Sequence, residues 1–325
     1  MDRYRGRFAP SPTGPLHFGS LVAAVGSYLE AKSRGGEWLV RIEDLDPPRE
    51  QPGAASLILR TLEACGMGWD GNLMCQSQRR EAYRAALARM ESQGLVYPCA
   101  CTRREIADSI LAYAPARAAG GAHNGPPPRA SGRAVGGEVL NDGALIYPGT
   151  CRMGLAPGKS PRAIRVRVNH DPIEFEDILQ GKLSQDLAAE VGDFVLLRAD
   201  GLFAYQLAVV VDDAEQGITD VVRGADLLDS TPRQIYLQRL LGLRTPRYLH
   251  LPAAVNAAGE KLSKQTRAAP VDERNPVPAL AQVMDFLGQA PPVHLCRAPL
   301  AEFWRWALAH WDAKRIRRQR SLPAP

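Results

Sequence analysis

Residues 5–20, RGRFAPSPTGPLHFGS, set Arg7, Ser11, His17 and Ser20 around three prolines, two of which bracket Ser11. Proline fixes φ and has no N–H, so Pro10-Ser11-Pro12 fits neither a strand ladder nor a helix interior. The run predicts a rigid loop between a short strand (6–9) and a helix that begins near His17 or Phe18. That helix continues towards Lys32, and Gly35-Gly36 ends it. A stiff loop at a helix N-terminus presents unpaired N–H groups and the positive end of the dipole, which suits a phosphate. His17 at that mouth can donate to phosphate, although a histidine there also serves as an ordinary helix-start residue. Far along the chain, EKLSKQ (260–265) carries Lys261 and Lys264 in a loop suited to moving over further phosphates. A solvated lysine pair is the plainer alternative.

Sulfur forms a second constellation. Cys99-Ala-Cys101 with a distant Cys151 can set three thiolates around Zn²⁺ and leave one tetrahedral position for another ligand. Cys-x-Cys is a weaker signal than Cys-x-x-Cys. Cys65, Cys75 and Cys296 read as ordinary thiols.

These groups need elements to hold them. EWLVRIEDLD (37–46) reads as a buried strand ending in acidic residues, so the first 46 residues form a βαβ pattern. That pattern predicts a parallel sheet with active groups at the strand ends. Residues 53–65 and 79–94 have the spacing of amphipathic helices, and residues 163–180 are β-rich. Residues 193–224 predict a strand, a tight turn at Asp200-Gly201, an apolar helix from about Tyr205 and a strand near 220–223. Residues 116–137, rich in Gly, Ala, Pro and Arg, bury too little to order themselves and read as a flexible insertion. Beyond about 270 the chain is Pro-punctuated and helical, with 301–318 as its clearest amphipathic stretch.

Composition sets the outer limits. The 325 residues, 45% hydrophobic, suffice for one large domain or two smaller ones. There is no signal-peptide pattern and no apolar run of about 18 residues, so a cytoplasmic protein with reduced cysteines is expected. Net charge +5 permits a polyanionic partner. Much of the excess sits in 314–320, which reads equally as a solvated helix end, a frayed tail or an RNA contact.

RFAPSPTGPLHFGS resembles the first signature of class I aminoacyl-tRNA synthetases of the glutamate type, and EKLSKQ resembles their second. RIEDLD, FAYQLAVVVDD and VVRGADLLDSTPRQ occur between them in the same order, so the resemblance spans residues 5–265. It implies an α/β fold, a class I synthetase Rossmann-type parallel sheet. Its first half would occupy 1–95, an inserted zinc-bearing subdomain 96–190, the second half with the lysine loop 191–270, and a helical C-terminal part 271–325. The implied chemistry is activation of L-glutamate by ATP, with Mg²⁺ accompanying the nucleotide but no dedicated motif for it. His17 and Lys264 become the catalytic groups. Ser20, in place of the family's usual second histidine, and Lys261 join them on ATP.

Free glutamate carries one ammonium and two carboxylates, so its pocket needs an acid and at least one guanidinium, the group that holds a carboxylate in bidentate fashion. Glu43 suits the ammonium, Arg7 and Arg223 the carboxylates, and Tyr205 adds a hydroxyl. The resemblance assigns Arg7, Phe8, Ala9, Pro10, Ser11, Glu43, Tyr205 and Arg223 to that pocket. The competing reading pairs these charges with one another, Arg7 with Glu43 for example. Short members of the family also follow Cys-x-Cys with Tyr-x-x-x-Cys, which makes Tyr147 the implied fourth ligand of a structural zinc beside Cys99, Cys101 and Cys151.

About 60 residues follow KLSKQ, where full glutamyl-tRNA synthetases carry a large anticodon-binding domain. The chain is therefore similar to the truncated paralogues that pass glutamate to queuosine at the wobble position of tRNA(Asp). HFGS and RGADLL fit them better as well. On that reading the catalytic cleft docks the anticodon stem-loop, through contacts that salt weakens. Three alternatives stand beside it. A compact glutamyl-tRNA synthetase would charge a tRNA 3′ end, another class I nucleotidylyltransferase would lack the glutamate pocket, and a non-catalytic RNA-binding paralogue would keep only the fold.

Overall fold

The computed structural model describes residues 3–107, 146–262 and 269–325. The expected insertion at 116–137 and Lys264 lie outside the described residues.

Strands β1 (Arg5–Phe8) and β2 (Glu37–Ile42) are parallel neighbours joined by helix α1 (Phe18–Lys32), the βαβ unit expected from the sequence. The α1 helix forms because Leu21, Val22, Val25 and Leu29 recur at helical spacing, and all four are buried. The proline loop is held to its surroundings by backbone bonds, from Glu43 N–H to Pro10 O (3.0 Å) and from Gln51 N–H to Pro12 O (3.0 Å).

A short β3 (Met74–Cys75) pairs with β2 after helix α2 (Ala54–Ala64), and helix α3 (Arg80–Ser92) follows. The other edge of β1 meets β9 (Asp220–Gly224), where Thr219 N–H donates to Arg5 O at 2.9 Å. Beyond β9 come β10 (Arg247–Leu251) and β6 (Ile173–Asp177), both parallel, and then β7 (Gly181–Gln185), which is antiparallel to β6. Chain order thus reverses between β1 and β9. In open parallel sheets, the crevice outside the strand ends at such a reversal is where ligands bind.

The stretch expected as one inserted subdomain divides between two sheets. β6 and β7, inside 96–190, join the main sheet. β4 (Val96–Cys99) and β5 (Ala163–Val166) form a separate antiparallel sheet completed by β8 (Val195–Leu197), which lies past residue 190. A single turn of helix, α4 (Leu187–Glu190), connects β7 to β8.

Helices α5 (Tyr205–Glu215) and α6 (Thr231–Leu241) pack with α3 around Tyr83, Leu207, Val210, Ile235 and Tyr248. A second core lies between α1, the main sheet and helices α7 (Val277–Phe286) and α8 (Leu300–His310), and includes Trp38, Leu251, Met284 and Phe303. Among the described residues, no helix is long and apolar enough to cross a membrane.

The C-terminal part differs from expectation. The helical pattern of 301–318 breaks at Trp311, which is extended (φ −61°, ψ 124°) and donates its indole N–H to Glu30 at 2.8 Å. Beyond a single 3-10 turn at Ala313–Arg315, the basic run is neither helix nor frayed tail. Ile316 and Leu322 bury themselves against the body, Arg318 donates to Gln180 O at 2.8 Å, and Arg320 contacts Asp229 at 3.3 Å. The chain finishes as β12 (Ser321–Pro323), parallel to β11 (Ala253–Val255). Two apolar anchors six residues apart suit an extended path better than a helical face.

Candidate active site at the strand ends

Arg223, near the end of β9, is 5% exposed. Its Nε donates to His250 Nε2 (3.0 Å), its Nη2 to Thr231 Oγ1 (2.8 Å) and its Nη1 to the Tyr205 hydroxyl (3.4 Å). These partners are uncharged. Burial pushes the His250 imidazole down to about 4, with the nearby Arg223 charge adding to the effect. Among the described residues, no carboxylate forms a salt bridge with Arg223. A buried guanidinium without a counter-ion is costly. It is therefore a strong receptor for an anionic ligand.

Arg7 behaves otherwise. It is 3% exposed and its Nε and Nη2 grip both carboxylate oxygens of Asp213 (3.0 and 3.2 Å). The Arg7–Glu43 pair offered by the competing reading is not the one formed. Glu43 instead faces Arg41 at 3.4 Å, and Arg41, fully buried, also donates to Asp213 (2.8 Å) and Gln216 (2.6 Å). Sequence reasoning missed Arg41 and Asp213. The available signal was a charged residue inside an apolar strand, EWLVRI, and a pair of acids ending an apolar helical run, LAVVVDD.

Burial pushes the Glu43 carboxyl above the usual range despite Arg41 and Arg7 nearby. It also raises the Tyr205 phenol, whose next strongest influences are Glu43, Arg223 and Arg7. Glu43, Arg223 and Arg7 thus all act on the Tyr205 phenol. Of the other pocket residues, Phe8 is 6% exposed and stacks on Trp38, so its ring belongs to the core. Pro10 holds the backbone of Glu43, Ala9 is half-buried beside it, and Ser11 is exposed.

His17 precedes α1 with extended backbone (φ −123°, ψ 174°), so its side chain stands at the helix mouth. Ser20 accepts from His17 N–H and donates its own proton to His17 O, both at 2.8 Å. Its hydroxyl caps the helix, and it must give up that second bond before it can donate to phosphate. Leu262 and Pro270, on either side of 263–268, lie against this turn. Pro270 bridges to His17, and a Cβ on Gly19 would lie 3.2 Å from His17 Cε1 and 3.4 Å from Leu262 O. The two signatures therefore meet. Lys261, just before the segment, pairs with Asp226, which follows β9.

Gly19→Val is expected to force these turns apart. A displacement of about 1 Å at a reacting centre costs up to 10²-fold, so the variant should raise KM roughly tenfold for the ATP that the sequence motifs imply. Steady-state exchange kinetics check this, and an unchanged KM would remove the close approach from the argument.

The sulfur cluster is assembled at the end of β4. The Cys99, Cys101 and Cys151 sulfurs lie within 4.8 Å of one another. The Tyr147 hydroxyl stands 3.5 Å from Cys99 Sγ and 3.7 Å from Cys101 Sγ, and accepts the Cys151 N–H at 2.8 Å. A tetrahedral set at Zn–S of about 2.3 Å has ligands about 3.8 Å apart, so these four donors match a zinc set. Burial raises the Cys99 thiol, but the Tyr147 hydroxyl and the Arg165 guanidinium, 3.3 Å away, outweigh it and bring the thiol below its usual range. Gly192 must be glycine here, because at φ +73° a Cβ would lie 2.5 Å from Tyr147 O.

A profile of the catalytic domain of class I tRNA synthetases (E and Q) matches residues 3–114 and 152–276. The chain is 56% identical over 322 residues to the glutamyl-Q tRNA(Asp) synthetase of Aromatoleum aromaticum, covering 99% of this chain and 93% of that protein. Identity is again 56% over 322 residues to the protein of the same name from Dechloromonas aromatica, with 99% and 98% covered. A crystal structure of a glutamate tRNA ligase from Elizabethkingia meningosepticum, in complex with its amino acid, superposes with a TM-score of 0.76 at 26% identity. It covers 100% of this chain and 67% of that one.

Proposed function

Because the chain belongs to the class I tRNA synthetases of the E and Q type, we propose that it activates L-glutamate with ATP and passes the glutamyl group to queuosine in tRNA(Asp), as the names of its relatives suggest. The observation that carries the glutamate reading is that Arg223, a buried cation with uncharged partners, and Glu43, a buried acid whose carboxyl burial pushes up, both act on the Tyr205 phenol. The side-chain carboxylate of glutamate meets Arg223 and Tyr205, and its ammonium meets Glu43. The α-carboxylate is then left to attack the α-phosphorus of ATP. One P–O bond forms, the bond to pyrophosphate breaks, and glutamyl-adenylate results.

The protein makes no covalent bond in this step. It positions the reactants and donates to the charge that builds on phosphate. His17 and the first N–H groups of α1 face the phosphates. Lys261 reaches them by leaving Asp226, and the sequence motif assigns Lys264 to the same task. Mg²⁺ arrives with ATP. Glutamate then transfers from the adenylate to queuosine at the wobble position, with AMP as leaving group. The anticodon stem-loop docks over the cleft through phosphate contacts that weaken with salt.

Glutamate-dependent ATP–pyrophosphate exchange without tRNA tests the first step. Transfer of labelled glutamate to tRNA(Asp) with and without queuosine tests the second. Label on queuosine-containing tRNA(Asp) alone is the expected result. Charging of unmodified tRNA(Glu) at its 3′ end would overturn the acceptor.

Cys99, Cys101, Tyr147 and Cys151 would hold one structural Zn²⁺, which ties the end of β4 to residues 147–151 and leaves no open position for chemistry. Zinc content by atomic absorption is expected to fall to near zero in Cys99→Ser. Melting temperature should drop by roughly 5 °C or more, because structural zinc contributes folding energy directly. Full zinc retention in the variant would remove this assignment.

A further inference from the structure

We propose that Asp177 and His250 are positioning residues for Arg223: the pair presents the arginine with an acceptor that fixes its plane without neutralising its charge. The proposal rests on the reading of Arg223 as the glutamate-carboxylate receptor. His250 is completely buried on β10, and Asp177, at the end of β6, is 1% exposed. Asp177 Oδ2 lies 2.7 Å from His250 Nδ1, while His250 Nε2 lies 3.0 Å from Arg223 Nε. Both ends of the ring demand one tautomer. A carboxylate can only accept, so Nδ1 carries the proton, and a guanidinium N–H can only donate, so Nε2 is bare.

The arrangement solves a specific problem. A ligand-binding arginine must be held still before the ligand arrives, or part of the binding energy is lost in ordering it. A carboxylate placed directly on Arg223 would hold it but would also compete with glutamate, as Asp213 shows by gripping both nitrogens on one edge of Arg7. A neutral imidazole holds without competing. Asp177 is itself locked, accepting backbone N–H groups from Leu179 (3.0 Å) and Gln180 (2.8 Å). The low proton affinity of His250 keeps the ring neutral at physiological pH.

Asp177→Asn tests the proposal at almost constant volume. The amide oxygen keeps the turn N–H groups, and the new NH₂ faces Nδ1. That reverses the tautomer and aims an N–H at Arg223. KM for glutamate is expected to rise roughly tenfold or more, the size of one hydrogen bond to a charged group. KM for ATP should stay within about twofold, because the phosphate turn is not touched. His250→Gln, whose amide can donate to Asp177 and accept from Arg223, should stay within about threefold of wild type on both substrates.

Equal glutamate KM in Asp177→Asn and wild type would overturn the proposal, as would a His250→Gln defect as large as that of Asp177→Asn. Selective ¹⁵N-histidine labelling of the wild-type protein gives a readout independent of any variant's folding. A protonated Nδ1 and bare Nε2 at neutral pH are expected, and the opposite tautomer would refute the pair. Arg223→Gln separates the two levels: if it leaves glutamate KM unchanged, the underlying reading of Arg223 falls instead.

Discussion

Arg223→Ala is expected to abolish measurable glutamate activation while ATP still binds. Truncating one member of a buried charge pair costs about 2–5 kcal/mol, or roughly 30- to 5,000-fold in kcat/KM. The upper end applies here, because among the described residues no carboxylate forms a salt bridge with this guanidinium, whose side-chain partners are His250, Thr231 and Tyr205. The stability of the free protein should move less than in the usual buried-residue deletion. The substitution removes a desolvated cation at the same time as its hydrogen bonds to His250, Thr231 and Tyr205. Those terms oppose each other, so unfolding free energy without ligand should change by no more than about 1 kcal/mol. Saturating glutamate should raise the melting temperature of the wild type by mass action and leave the variant's unchanged. ATP–pyrophosphate exchange and thermal melts with each substrate check both halves. Unchanged exchange kinetics would take the carboxylate role away from Arg223.

This division between function and stability also explains what the sequence could and could not reveal. The placement of His17, Glu43, Tyr205 and Arg223 at a strand end or helix start was legible because each lies in a short local pattern. The cysteine cluster was legible for the same reason, although spacing alone left its fourth ligand open. The partners of these residues were not. Arg7 and Asp213 are 206 residues apart, and Asp177 and His250 are 73 apart, so neither pair has a common motif. The hint was chemical: Arg41 in EWLVRI and His250 in RYLHL each interrupt an apolar strand. A polar group placed there must find a partner when the strand is buried. The tail failed for a different reason. Its helical periodicity runs past His310, but Trp311 and Ile316 find better burial by leaving the helix.

Arg41 gives the corresponding expectation for stability. It is 0% exposed and lies 4.0 Å from Asp212, which Arg79 also holds; its other salt-bridge partners, Asp213 and Glu43, have side chains only 9% and 7% exposed. Arg41→Met fills most of the volume but strands Asp213 and Glu43 beside Arg7 alone. Breaking a buried pair by removing one partner costs about 3–5 kcal/mol, which is the expected loss in denaturant unfolding at pH 7. The pH dependence separates charge from packing. In the wild type, burial raises the Asp213 carboxyl but Arg7 and Arg41 outweigh it and hold it below the usual range. Its stabilising contribution is therefore present above the ordinary carboxyl pKa and disappears as pH falls through its lowered value. In Arg41→Met burial is less opposed, and the carboxyls take up protons at higher pH than in the unfolded chain. Protonation then relieves the stranded charge, so the deficit between variant and wild type should be largest near neutral pH and shrink on acidification. A deficit that stays constant from pH 7 to pH 5 would mean that Arg41 acts through its packing, and that the charge network beneath the glutamate pocket does not hold this part of the fold together.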